Sequence, residues 1–170
     1  MLHQELVLLG LLMDGPKHGY QIKKSIERIK GVFASIDTNS IYYPLKMLEL
    51  KGLVTKKIVK EGKRPEKYVY SITPKGKRRF YKLLNDNFLL IQRPFINVDL
   101  SFYFFPYVDK ELAKRRLKIR LRGLKRVKKW LEERKSESNL PEHLILILEH
   151  NLELVEAEIK FTSRLLNTFL

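Results

Sequence analysis

The chain has 170 residues, of which 44 % are hydrophobic and 31 % are charged, and this balance excludes a fully disordered protein. Its 34 basic and 19 acidic residues give a net charge of +15, which favours polyanionic partners and above all nucleic acid. The absence of cysteine excludes disulfide scaffolds, thiolate zinc sites and cysteine nucleophiles. The apolar run at residues 6–13 is too short to span a bilayer and the first residues do not form a secretion signal, so we expect a cytoplasmic protein without a membrane partner.

Three short helices are predicted in the first third of the chain. The first covers residues 5–13 and ends at an Asp-Gly-Pro sequence, and the second covers residues 18–30 and stops at a glycine. The third begins from an N-cap among residues 37–39 and closes at Gly52, because glycine readily adopts the left-handed conformation that ends a helix. Helical spacing directs three of its apolar residues inward: Ile41, Leu45 and Leu48.

A β-hairpin is predicted after these helices. Residues 54–60 and 67–72 are rich in alternating β-branched and aromatic side chains, and the intervening residues 61–65 form a basic turn with Gly and Pro. Thr73 and Pro74 then provide the N-cap and first position of a helix that runs to about residue 90. Three helices followed by a hairpin are the element order of a winged helix-turn-helix.

The second half of the chain is predicted to be helical. An aromatic junction over residues 91–108 leads to a long helix over residues 110–135, which Asp109 can cap. A Ser-Asn-Leu-Pro break precedes a last helix from Pro141 towards residue 170. We therefore expect a mainly α fold with a small β-hairpin. Its predicted parts are a winged helix-turn-helix DNA-binding domain at residues 1–90 and a C-terminal α-helical dimerisation region at residues 91–170.

The third predicted helix has the properties of a helix that reads base edges. Apolar residues anchor its inner side, while its start and its outer side offer polar groups to the major groove. Of its two adjacent tyrosines, we expect Tyr43 to be partly packed and Tyr42 to be free. The hairpin tip can reach phosphates or a minor groove, the alternative being a solvated loop. The residues predicted to bind DNA are Asn39, Ser40, Tyr42, Tyr43 and Lys46 on the helix and Lys63, Arg64 and Lys67 on the hairpin.

Several short motifs occur in a fixed order over the first half of the chain. They are His18-Gly19-Tyr20-Gln21-Ile22 after Gly15-Pro16, Ser40-Ile41-Tyr42-Tyr43-Pro44-Leu45-Lys46, Lys51-Gly52-Leu53-Val54, Glu61-Gly62-Lys63-Arg64-Pro65, and Ile72-Thr73-Pro74-Lys75-Gly76. In this order and spacing they resemble the PadR-like family of transcriptional regulators. The family pattern implies that Tyr20 either packs into the core or touches a DNA phosphate.

The positive charge is concentrated in two blocks. Residues 1–86 carry 18 basic and 8 acidic residues, residues 110–135 carry 13 and 3, and residues 136–170 carry 2 and 6. A uniformly solubilised surface would not be segregated in this way. The basic helix at 110–135 can pair with the acidic tail or extend the DNA footprint. Its net charge is +10 and that of the tail is −4, so the tail cannot neutralise all of it, and we favour both uses together.

The last helix is apolar on too many sides to be covered by one neighbour. The 110–135 helix supplies one neighbour, and we expect a partner subunit to supply another, because a single reading helix discriminates poorly and pairing over a palindrome restores specificity. The resemblance also implies a homodimer, whereas the alternative is an intramolecular bundle. A heptad pattern predicts these dimerisation residues: Ile145, Leu148, Leu152, Val155, Ile159 and Leu166.

Aromatic side chains cluster in the junction and could hold a planar ligand. The predicted pocket residues are Phe102, Phe105, Tyr107 and Trp130. The resemblance implies a response to phenolic or multidrug-like compounds, so a small aromatic effector is a candidate partner. Simple packing between the two parts of the chain is the more common use of such a cluster.

Signatures of catalysis are missing from the sequence. The histidines, His3, His18, His143 and His150, do not have the spacing of a metal-ligand set, and the phosphate-cradling and nucleophile-elbow patterns are absent. We therefore expect no enzyme activity, no metal and no cofactor.

The predicted function is that of a sequence-specific regulator of transcription, homodimeric on a palindromic operator and relieved by a small aromatic ligand. We favour a repressor because the sequence has no obvious polymerase-contacting domain. The alternatives are an RNA-binding module, which would tolerate single-stranded competitors, and a protein-interaction module, whose binding would depend weakly on salt.

Overall fold

A computed structural model gives the fold of residues 2–30, 41–60, 67–91 and 96–168. The chain divides into an N-terminal unit, Met1–Gln92, and a C-terminal unit, Arg93–Leu170. The sequence-based boundary lies between residues 90 and 91. In the part of the chain that is described, no helix combines the length and the apolar character that crossing a membrane requires.

The N-terminal unit combines helices with a small antiparallel sheet. Its described helices are α1 (Leu2–Leu11), α2 (Gly19–Lys30), α3 (Tyr42–Leu50) and α4 (Pro74–Asn87), and its strands are β1 (Lys17–His18), β2 (Val54–Val59) and β3 (Lys67–Ile72). The strand order is β1-β3-β2, and β2 pairs with β3 from Val54 opposite Ile72 to Val59 opposite Lys67. The predicted hairpin is therefore confirmed. Strand β1 was not predicted because two residues are too few to display an alternating pattern.

The inward side of α3 is anchored as predicted. Ile41, Leu45 and Leu48 are 5 %, 0 % and 3 % exposed. Gly52 has φ +68° just after the helix, which is the left-handed conformation expected of a glycine stop. The predicted N-cap at residues 37–39 lies outside the described residues. Buried residues of the other elements complete this core: Leu8, Leu9, Leu12, Ile22, Ile26, Leu53, Val54, Tyr70 and Leu83.

Thr73 fixes the start of α4 as an N-cap, as predicted. Its hydroxyl oxygen accepts a hydrogen bond from the Gly76 N–H at 3.0 Å. The Thr73 N–H donates to the Leu53 carbonyl oxygen at 3.0 Å and so joins α4 to the start of β2. The helix ends at Asn87, a few residues before the predicted end near 90.

Glu5 ties α1 to two later elements. Its carboxylate accepts from Arg79 Nε of α4 at 2.6 Å and from Lys51 Nζ after α3 at 3.1 Å. Burial alone raises the pKa of Glu5, but the two cations outweigh it and hold that pKa below its ordinary value. The carboxylate therefore stays charged and holds the three helices together.

The C-terminal unit contains α5 (Asn97–Tyr103), a 3-10 turn (Phe105–Tyr107), α6 (Lys110–Lys135) and α7 (Glu142–Thr168). Asp109 caps α6 as predicted, because its carboxylate accepts from the Leu112 N–H at 2.9 Å. Helix α5 lies inside the predicted junction. Its β-branched and aromatic residues are weak helix formers, which explains why the sequence does not reveal it.

Helices α6 and α7 pack against each other as an antiparallel hairpin. Lys128 Nζ contacts a Glu156 carboxylate oxygen at 2.6 Å, and Lys135 Nζ contacts one of Glu149 at 2.7 Å. The hydrogen bond to Glu156 raises the pKa of Lys128 above its ordinary value. The buried residues of the pair are Leu117 and Leu131 on α6 and Leu148, Thr162 and Leu165 on α7.

Candidate nucleic-acid interface

The outward side of α3 presents polar groups to solvent. Tyr42 and Tyr43 are 60 % and 65 % exposed, and Lys46 is exposed one turn further along. The prediction that Tyr43 would be partly packed is wrong. Ile41, Leu45 and Leu48 already fill the inner side at helical spacing, so both tyrosines remain outside.

The start of α2 lies beside the start of α3. A Cβ added at Gly19 would stand 3.3 Å from a ring carbon of Tyr42, so the missing side chain leaves room for that phenol. Tyr20, the next residue, is 73 % exposed. Of the two roles considered for Tyr20, packing in the core is therefore wrong, and its hydroxyl is available to a ligand in solvent.

The hairpin adds basic side chains along its strands. Lys67 at the start of β3 is exposed, as are Lys56 and Lys57 on β2. The Lys56 ammonium lies 4.0 Å from the centroid of the Tyr68 ring, a cation–π contact across the two strands. Lys56 and Lys57 were missed as site residues, although both stand in the first half of the predicted hairpin.

Four of the predicted DNA-binding residues fall outside the described part of the chain. They are Asn39 and Ser40, which precede α3, and Lys63 and Arg64, which belong to the predicted hairpin tip. The described residues from that prediction are Tyr20, Tyr42, Tyr43, Lys46 and Lys67, and all five side chains are exposed.

The predicted dimerisation residues lie on the side of α7 that packs against α6. Leu148 is 2 % exposed in the single chain, so it is already covered and its assignment to a subunit interface is corrected. The other five are half-buried: Ile145, Leu152, Val155, Ile159 and Leu166. In contrast, Leu146 and Leu154 are 60 % and 49 % exposed. The heptad pattern marks the intramolecular side because α6 is itself an apolar neighbour.

A cavity of about 450 Å³ opens in the C-terminal unit between α5, the 3-10 turn and α6. Phe102 and Phe105 line it as predicted, with ring centroids 4.9 Å apart. Tyr107 and Trp130 do not line it, which corrects half of that prediction. Tyr107 is 88 % exposed, and Trp130 stands about 20 Å further along α6 than the lining residue Leu117, at 1.5 Å per residue.

Two arginines that the sequence analysis did not assign to the cavity also line it. They are Arg116 and Arg120 on α6. Arg120 forms an ion pair with Glu158 of α7, and its Nε is buried without a hydrogen-bond partner among the described residues. A buried N–H without a partner carries a desolvation penalty of about 1–3 kcal/mol. The only sequence signal was their place on a basic helix beside the aromatic junction.

No cluster of metal-ligating side chains occurs among the residues whose positions are described. The backbone N–H of His18 donates to the side-chain oxygen of Gln21 at 2.8 Å, at the start of α2.

Comparison with known proteins agrees with this geometry. A model of the "Transcriptional regulator PadR-like family" matches residues 8–82. The curated "Negative transcriptional regulator PadR" of Bacillus subtilis (strain 168) is 34 % identical over 77 residues, which cover 45 % of this chain and 42 % of that protein. The match thus spans less than half of that relative's length.

Solved structures resemble the chain over nearly its full length. Bacillus subtilis PadR in complex with operator DNA has a TM-score of 0.73 at 23 % identity, covering 95 % of each chain. The same protein in complex with p-coumaric acid has a TM-score of 0.65 at 22 % identity, covering 95 % of this chain and 92 % of that one. At these identities the structures establish a shared winged-helix fold with C-terminal helices. Over its residues 8–82 this chain is thus similar to the transcriptional regulator PadR-like family.

Proposed function

We propose that this chain is a transcriptional regulator that binds a palindromic operator in double-stranded DNA as a homodimer and represses the adjacent genes. The observation that carries the proposal is the outward face of α3, where Tyr42, Tyr43 and Lys46 are exposed on a helix whose opposite side is buried. The match of residues 8–82 to the PadR-like family supports it, as does the PadR neighbour that was solved on operator DNA.

In this proposal α3 enters the major groove. Tyr42 and Lys46 are one turn apart on the same side of the helix, so they address neighbouring base edges, and a lysine suits the O6 and N7 acceptors of guanine. Asn39 and Ser40 precede the helix and extend the reading set. The positive end of the helix dipole favours a phosphate beside them.

Phosphate contacts would hold the protein in register on the duplex. Tyr20 at the start of α2 offers an exposed hydroxyl next to α3. Lys67 of β3 would contact the DNA backbone, as would Lys63 and Arg64 of the predicted hairpin tip. Such contacts carry no sequence information, but they supply most of the electrostatic affinity.

A second copy would cover apolar surface that one chain leaves open. The ion pairs of the α6–α7 hairpin set a register in which Trp130 is level with Leu154, and these side chains are 40 % and 49 % exposed. Leu146 and Val127 extend the same exposed apolar set to 60 % and 46 %. We call Val127, Trp130, Leu146 and Leu154 the open apolar cluster. A two-fold partner that packs on it would pair two reading helices with a palindrome.

Repression is the simplest outcome of operator binding. The curated relative is a negative regulator, and a dimer seated on an operator blocks polymerase without any further domain. The proposed location is the cytoplasm, because a regulator of transcription must reach its operator DNA.

The Lys46→Ala variant tests the proposal, after bound fragments have been selected from the source genome to obtain the operator. We expect its affinity for the operator to fall roughly 10- to 100-fold, because one side-chain contact to a base edge is worth about 1–3 kcal/mol. Affinity for random duplex should fall much less. The measurement is fluorescence anisotropy on both duplexes, with Lys82→Ala on α4 as the control of equal charge. If the wild type has no preference for any duplex, the proposal is wrong.

The cavity in the C-terminal unit supports the further proposal of a small aromatic effector that relieves repression. Its apolar walls include Phe102 and Phe105, and Arg116 and Arg120 stand at one side. An aromatic carboxylate suits this combination, because the ring stacks on the phenylalanines and the anion pairs with guanidinium groups. A PadR neighbour was solved in complex with p-coumaric acid, a compound of this class.

Calorimetric titration with p-coumaric acid tests the effector site. We expect Phe102→Ala and Arg116→Gln each to weaken binding about tenfold or more, since each removes a contact worth about 1.5 kcal/mol. Tyr107→Ala is the matched control, because that ring lies outside the cavity and its loss should leave binding unchanged. Equal effects of Phe102→Ala and Tyr107→Ala would place the ligand elsewhere, and no binding by the wild type would remove this compound as the effector.

A further inference from the structure

Helix α6 carries a long stretch of one charge sign. Between Glu111 and Glu132 there are ten lysines and arginines and no acidic residue. Like charges three or four residues apart destabilise a helix by roughly 0.2–0.5 kcal/mol per pair. The last turns of the same helix avoid this cost, because Lys128 contacts Glu132 and Lys129 contacts Glu133, each at 3.6 Å. In the middle of α6 Arg120 is paired with Glu158 of α7, whereas Arg115, Lys118, Arg122 and Arg126 form no ion pair with a described residue.

Four exposed basic side chains of this stretch lie on one face of the helix. Arg115, Lys118, Arg122 and Arg126 recur at i, i+3, i+7 and i+11 and are exposed. They lie on the side of α6 opposite to Leu117 and Leu131, which are buried against the rest of the unit. We call these four residues the basic face, and it extends about 16 Å along the helix axis.

The acidic residues of α7 do not neutralise the basic face. Glu149, Glu156 and Glu158 are already paired with Lys135, Lys128 and Arg120, respectively. None of the four residues of the basic face forms an ion pair with any described residue. In a second copy of the chain the same three glutamates are paired within its own hairpin. The exposed Glu142 and Glu153 of its α7 are too few to neutralise the four cations of the basic face.

We infer that the basic face binds the phosphate backbone of duplex DNA outside the operator half-sites. Three of its four residues are arginines, whose guanidinium groups match phosphate oxygens in a bidentate manner. Regular spacing along a helix suits a regular row of phosphates. Within its length the basic face has a single half-exposed apolar neighbour, Ile119, among the described residues, which is too little apolar surface to bind a membrane. The inference rests on the proposed function, because it assumes that the N-terminal unit binds an operator in DNA.

The test compares two lengths of the same duplex. The triple variant Arg115→Gln, Arg122→Gln, Arg126→Gln is measured on the bare operator and on the operator with about 20 flanking base pairs on each side, over a series of salt concentrations. Wild type should bind the longer duplex more tightly and with a steeper salt dependence. In the triple variant we expect the long-duplex affinity to fall about tenfold and the slope of log affinity against log salt to flatten by about 2–3, at ~0.9 per phosphate. The bare-operator affinity should be unchanged.

A control variant of equal charge loss removes three cations elsewhere in the same unit: Lys110→Gln, Lys160→Gln and Arg164→Gln. It should keep the length dependence of the wild type. Equal losses on both duplexes, or no loss on either, would overturn the inference. The inference would also be overturned if the triple variant lost binding to phosphatidylserine vesicles that the wild type binds, while its affinity for both duplexes stayed the same. Failure of the proposed function has a different signature, because the wild type would then bind operator and random sequence of each length equally well.

Discussion

Gly76→Ala should unfold the N-terminal unit, or destabilise it by about 3 kcal/mol or more. A Cβ at this position would stand 2.1 Å from the Leu53 carbonyl oxygen and 2.8 Å from Cγ1 of Ile72. The carbonyl cannot move away, because it accepts hydrogen bonds from both the N–H and the hydroxyl of Thr73. Relief of the clash would separate the start of α4 from β2 and open the core beneath.

Gly123→Ala is the matched control for this substitution. No described residue comes within 4 Å of a Cβ placed at Gly123, which is in the middle of α6. The same change should therefore stabilise the protein by roughly 0.5–1 kcal/mol, since alanine loses less backbone entropy than glycine in a helix. Thermal unfolding followed by circular dichroism measures both variants. A Gly76→Ala protein that melts with the wild type would contradict the close packing of α4 on the β2 end.

The elements predicted correctly are those whose signal is local. Thr73 and Pro74 announce the start of α4 within two residues, and Ile41, Leu45 and Leu48 show the buried side of α3 by their spacing alone. The close approach at Gly76 could not be predicted in this way. It depends on where the Leu53 carbonyl lies in space, and nothing in the Thr-Pro-Lys-Gly sequence distinguishes a packed glycine from an ordinary one.

The candidate site was predictable in kind and less so in detail. Basic and aromatic residues around α3 followed from the element order, yet the exposure of Tyr43 depended on how much of the helix the core could cover. The aromatic cluster in the sequence predicted Phe102 and Phe105 as residues that line the cavity. The contribution of Arg116 and Arg120 became visible only when α5 and the 3-10 turn were folded beside α6.

The proposed subunit interface shows why a helical pattern alone is ambiguous. Helix α7 is apolar on two sides, and a heptad pattern is expected whether a side packs against α6 or against a second copy. The pattern therefore does not show which side packs against α6 and which against the partner. The ion pairs of Lys128 and Lys135 show which side of α7 is packed against α6. The side that remains open carries Leu146 and Leu154, and the partner should be sought there.

Leu154→Glu should separate the proposed dimer. Leu154 is about half exposed in the single chain, so a carboxylate there costs little in the monomer, whereas a partner packed on the open apolar cluster would bury it unpaired. A buried unpaired charge costs about 3 kcal/mol or more, which weakens association roughly a hundredfold or more. A glutamate at Leu152 would be less informative, because that half-buried residue also contributes to the α6–α7 packing.

Sedimentation of Leu154→Glu at micromolar concentration should therefore give the mass of one chain, with the wild-type circular dichroism spectrum. Operator affinity should fall by a similar hundredfold or more, because one copy then presents one reading helix to a two-fold site. Ser138→Glu adds the same charge to the exposed turn between α6 and α7 and should leave both properties intact. A Leu154→Glu protein that still sediments as a dimer would move the interface away from the open apolar cluster, and a monomeric wild type that binds the palindrome tightly would remove the need for one.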